Sequence, residues 1–231
     1  MLTLLHHPLC PHSRYIRLIL GEYGVEARLA EERFWERREE FLLLNPAGEI
    51  PVLVVDGQPP VPSAAIVAEY IEETHPRADG DNNRLLPAAA VERVEVRRLA
   101  SWFNDKFHAE VSGPLVNERV FKRHMTKEQG GGPPDTETLR VARHNLRYHL
   151  AYIGWLVHTR DWLAGERLSL ADLAAAAHLS VADYLGDVPW NDDETAKNWY
   201  ARVKSRPAFR PLLADTLPGL PPSANYADLD F

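Results

Sequence analysis

The sequence predicts an α/β domain followed by an all-helical domain, and three observations carry that prediction. Short β-like runs alternate with helical patterns up to about residue 76. Beyond a polar, turn-rich stretch, apolar residues recur only at helical spacing. Between the two, Asn45 to Ile71 runs turn, strand, hairpin and helix, and the first half is organised around it. The expected division is residues 1–76, a linker at 77–85, and a helical domain over 86–231 with an acidic, aromatic tail.

Taken in order, Met1 to His6 is short, apolar and β-like. Pro8-Leu9-Cys10-Pro11 makes a turn, and Ser13 begins a helical pattern through Ile16, Leu18, Ile19, Leu20 and Tyr23. Gly24 ends it as a helix C′ residue. Val25 to Glu31 alternates as a second strand, and Glu36 to Leu44 forms a short charged helix with one apolar side. Pro46 and Gly48 mark a turn, and Val52 to Val55 is a β-branched run closed by Asp56-Gly57, a hairpin signal. Pro51 cannot donate to a ladder, so it marks an edge, a bulge or a cis bond. Ser63 precedes an amphipathic pattern, where its hydroxyl could cap a helix. The sum, β-α-β-α-β-β-α, is a thioredoxin-like unit by element order.

Pro76 to Asn83 is rich in turn formers and reads as the linker. Ala88 to Val120 then carries helical periodicity with Trp102, Phe103 and Phe107. Gly130-Gly131-Gly132-Pro133-Pro134 interrupts it, and a second long helix is expected from about Leu139 to Leu156. Ser169-Leu170-Ala171-Asp172 is a capping box with Asp in the acidic position, opening an alanine-rich helix to about Tyr184. Trp199 to Leu213 holds one more helical pattern, interrupted at Pro207. Trp102, Trp155 and Trp162 are read as core.

Bulk properties exclude several classes. A chain of 231 residues with 45% apolar content can bury a substantial core. A formal charge of -7 and a pI near 5.8 lack the basic footprint of non-specific nucleic-acid binding. The one cysteine permits no intrachain disulfide. The opening Met1-Leu2-Thr3-Leu4-Leu5 is too short for a signal peptide, and no run reaches membrane-spanning length, so a soluble cytoplasmic protein with no membrane insertion is expected.

Cys10 lies just ahead of the first helix, where unpaired N–H groups and positive potential favour a thiolate; the alternative is a small, unreactive turn residue. Cys10-Pro11-His12-Ser13 lacks a second cysteine, which leaves only monothiol chemistry. His6, His7 and His12 flank the same turn without an evident acidic ligand, so no metal is expected. They read as rim residues, or as a base near Cys10. Arg140, Arg143, His144 and Arg147 fall at i, i+3, i+4 and i+7 on one helix face, and Arg119, Lys122, Arg123, His124 and Lys127 form a second basic cluster. Together they could attract an acidic partner, or be an ordinary solvated surface. In the tail, Asp228 and Asp230 alternate with Tyr226, Leu229 and Phe231, a pattern that suits docking better than fraying.

The order of signals from Asn45 to Ile71, the capping box inside Gly165 to Asp172, and Trp199 to Pro207 together resemble the glutathione S-transferase superfamily over nearly the whole chain. The resemblance implies that Pro51 is cis, that the backbone of Ile50 and the Ser63 side chain face glutathione, and that Cys10 occupies the catalytic Cys or Ser position. It also exposes a departure. Where that family has Glu or Asp before the serine, this chain has Pro62, which gives the glutathione ammonium no counter-ion, although a neighbouring acid such as Glu49 could compensate. A charge-assisted hydrogen bond of that kind is worth about 1.5–3 kcal/mol, or one to two decades of affinity.

Within the superfamily, Trp35-Glu36-Arg37-Arg38, Asn45 to Glu49, the stripe around Arg140 and the terminal Tyr226 to Phe231 are most similar to the FtsZ-localised group of α-proteobacterial division proteins. That resemblance implies a homodimer at the division site that binds FtsZ polymers and promotes their curvature. Trp35, Arg119, Arg123, Arg140, Arg143, Arg147, Asp228 and Asp230 are then the expected partner-binding residues, with Trp35 in an exposed loop or, as the alternative, capping the core between the domains. No cofactor is required on this reading. The rival expectation is an enzyme that uses Cys10 with glutathione held at Ile50, Pro51 and Ser63.

Overall fold

The computed structural model describes residues 1–75 and 84–229. The expected linker at Pro76 to Asn83, and Asp230 and Phe231 of the tail, lie outside the described residues. The first half is a four-stranded sheet in the order β2-β1-β3-β4. Strand β1 (Leu2–His6) runs parallel to β2 (Arg28–Glu31) and antiparallel to β3 (Val52–Val55), and β3 pairs antiparallel with β4 (Val61–Pro62). Leu4 faces Leu53 across the central pair, and both are fully buried. The parallel pair needs a crossover, which α1 (Pro11–Tyr23) supplies.

Helix α1 begins two residues earlier than the apolar pattern suggests, because Pro11 suits the first turn, where no N–H is required. It ends as predicted. Gly24 takes φ 64° and donates to Gly21 O, while Val25 donates to Leu20 O at 2.9 Å. This Schellman closure consumes the residues assigned to the start of β2, which therefore opens at Arg28. A 3-10 turn at Phe34–Glu36 leads to α2 (Glu39–Leu44), and α3 (Ala64–Thr74) follows β4. The Ile50–Pro51 peptide is cis.

The described residues of the second half are helical apart from connecting loops and the C-terminal segment 214–229. Helix α4 (Ala90–Ser101) passes into a π-helical segment, Trp102–Ser112, and then into α5 (Gly113–Arg119) and a 3-10 turn at Phe121–Arg123. Helix α6 (Thr136–His158) lies antiparallel to this rod, with Arg98 against Tyr152, Trp102 against His149 and Asn145 against the Glu110 carbonyl. It starts at Thr136, earlier than the apolar pattern, because Asp135 caps it by accepting from the Glu137 N–H.

Every residue of α7 (Leu170–Tyr184) is buried, between α1, α4 and the π-helical segment. Its capping box forms: the Asp172 carboxylate accepts from the Ser169 N–H and hydroxyl, the Leu163 N–H and the Trp199 indole N–H. Helix α8 (Glu194–Lys204) stops before Pro207, where a 3-10 turn (Pro207–Phe209) and α9 (Arg210–Leu213) complete the order.

The two halves are joined by charge as well as packing. Arg14, fully buried, donates to Asp215, Ser180, Tyr226 and the Pro8 carbonyl. Arg17 grips the same Asp215 with both terminal nitrogens, at 2.7 and 3.0 Å. Arg206 makes a bidentate pair with Glu22. Gly21 lets α1 approach so closely that a Cβ there would meet Ala208 Cβ at 2.9 Å.

Candidate functional site: the cleft between the two domains

The N-terminus of α1, the Ile50–Pro51 turn and the start of α3 face the π-helical segment across a cleft of about 610 Å³. Cys10 and His12 line one side with Ile50 and Ser63, and Asn104, Asp105 and His108 line the other. The π geometry widens the rod over Trp102–Ser112, and π-helical geometry recurs at functional sites.

Cys10 is the N-cap of α1, in agreement with the sequence pattern. Burial pushes its thiol up, but the neighbouring His12 imidazole and Ser13 outweigh that, so it lies below its ordinary value. The Ser13 hydroxyl is fully buried and has no geometric hydrogen bond of its own among the described residues. Burial lowers His12, yet contact with Cys10 and the Asn104 carbonyl, 2.9 Å from Nε2, leave it raised. Each thus favours the charged form of the other, Cys10 toward the thiolate and His12 toward the imidazolium.

Two further histidines crowd this pair. The His12 and His108 rings are 4.3 Å apart, and His12 and His178 are 5.1 Å apart. His108 is lowered to about 3 by burial and by the charge of His12. His178 is held far below its usual value for the same reasons, first of all its burial. His12 is thus the base near Cys10. His6 and His7 are not rim residues: both are buried, lowered to about 4 and about 3, chiefly by burial.

Ser63 stands at the head of α3 with φ 73°, but its side chain makes no cap bond, contrary to expectation. Pro62 closes β4 beside it. The lining fits glutathione poorly. Ile50, cis Pro51 and Ser63 are in place, yet the acid expected before the serine is a proline; Glu49 and Asp105 are the carboxylates among the described lining residues.

The expected partner-binding residues are placed differently from the cleft. Trp35 is a correction: it is buried, and it packs on His7, Phe34, Phe121 and His124, bridging the domains. The sequence places it in a loop, and the loop is there, but it folds over an aromatic cluster. Trp155, read as core, is exposed and stacked on Tyr152.

Arg140, Arg143 and Arg147 do share an exposed face of α6, but each is matched by an acid: Glu137, Asp187 and Asp192. Arg119 reaches the same Asp187 and the Leu185 carbonyl, and Arg123 donates to the Gly219 carbonyl. The expected basic stripe is therefore a mosaic of ion pairs. The acids that neutralise Arg143 and Arg147 lie 44 and 45 positions away along the chain, out of reach of any helical pattern. In the tail, Tyr226 docks on its own chain: it is fully buried, its hydroxyl accepts from Arg14 and donates to the Leu212 carbonyl, and Asp228 beyond it is exposed.

Family models for the glutathione S-transferase N-terminal domain and C-terminal domain match residues 9–74 and 103–207. The chain is 50% identical to FtsZ-localized protein A of Caulobacter vibrioides over 99% of its own length and 98% of the relative's. The chain belongs to the glutathione S-transferase family. Among solved structures, a Sinorhizobium meliloti 1021 glutathione S-transferase superposes with a TM-score of 0.97 at 52% identity, covering 100% of both chains. FzlA from C. crescentus superposes with a TM-score of 0.89 at 49% identity, covering 100% of this chain and 99% of that one. Family membership and the thioredoxin-like plus helical architecture thus agree with the sequence reading. No described helix is long and apolar enough to cross a membrane.

Proposed function

We propose that this protein is a division protein on a glutathione S-transferase fold, one that binds FtsZ polymers as a homodimer and regulates filament curvature and constriction at the division site. The observation that carries this reading is the 50% identity, end to end, to a relative named for its localisation with FtsZ. The match covers 99% of this chain and 98% of the relative, and so takes in both domains. The cleft supports it from the other side, because Pro62 stands where the family has the acid that pairs with the ammonium of its tripeptide. Two copies per dimer let modest contacts bridge or bend a filament through effective concentration.

Co-sedimentation with FtsZ polymers tests the proposal: the protein should pellet with polymer and stay in the supernatant without it. Its absence from the pellet at low salt rejects the reading. A second reading, a glutathione-dependent transferase or thiol reductase, has one observation in its favour, the activated Cys10–His12 pair facing the cleft. It requires that glutathione bind and that Cys10→Ala or Ser63→Ala abolish the binding.

A further inference from the structure

We draw no further inference here: the strongest candidate, the surface patch of exposed apolar side chains on the adjoining helices α4 and α6 (Val91, Val94, Tyr148 and Trp155), carries nothing because nothing in the structure shows what covers it.

Discussion

Cys10 acquires its character from neighbours that are almost all local in sequence. The helix start, His12 and Ser13 lie within three residues, and for that reason an activated thiol is legible in the sequence. The other half of the arrangement is not, since Asn104 comes from the second domain and fixes His12 from 92 positions away. The pair makes a direct prediction. An imidazolium beside the sulfur stabilises the thiolate, so the pH midpoint of Cys10 alkylation should lie below the ordinary thiol value of about 8.5. In His12→Ala the stabilising charge is gone while burial remains, and the midpoint should rise above that value. Iodoacetamide labelling against pH, followed by mass spectrometry, measures both. An unchanged midpoint in the variant would mean that His12 does not hold the thiolate. Burial makes labelling slow in absolute rate, which leaves the midpoint as the useful quantity.

Among the elements, α7 shows most clearly how a short motif can govern long-range packing. Ser169 to Asp172 announces a helix start, and that much is sequence-local. In the fold the same carboxylate also accepts from Leu163 and from Trp199 of α8, so one side chain ties the preceding loop, the central helix and the late helix together. Burial raises Asp172, yet these donors hold the group in place without an opposing cation among its hydrogen-bond partners. Asp172→Ala would strand several buried donors at about 1–3 kcal/mol each. It should therefore cost at least about 3 kcal/mol, seen as a lower urea midpoint, with Trp199 fluorescence as the probe. A loss under about 1 kcal/mol would mean that the cap is incidental. Other element boundaries differ from the apolar pattern for equally local reasons. Strand β2 opens later than its alternation suggests because the Gly24 closure continues through Val25, and α6 opens earlier because Asp135 lies ahead of the apolar residues.

For the whole molecule, the balance between surface charge and interdomain charge determines which residues can report on a partner. Arg14, Arg17 and Asp215 fasten α1 to the C-terminal segment, and Tyr226 is part of the same clasp, so the tail that reads as a docking arm is anchored through residue 226. The arginines of α6 divide in the same way. Arg143 shares the nearly buried Asp187 with Arg119, so reversing its charge places two acids together and confounds binding with folding. Arg140 is different, because its partner Glu137 is as exposed as it is and lies on the same helix turn. Exposed pairs at this spacing contribute little to folding. Arg140→Asp should accordingly leave the thermal midpoint unchanged while reducing the fraction that pellets with FtsZ polymers, and the reduction should shrink as salt screens the contact. Pelleting equal to the unmodified chain at every salt concentration would remove the α6 face from the contact surface. The exposed end of the tail at Asp228 would then be the next part of the surface to reverse.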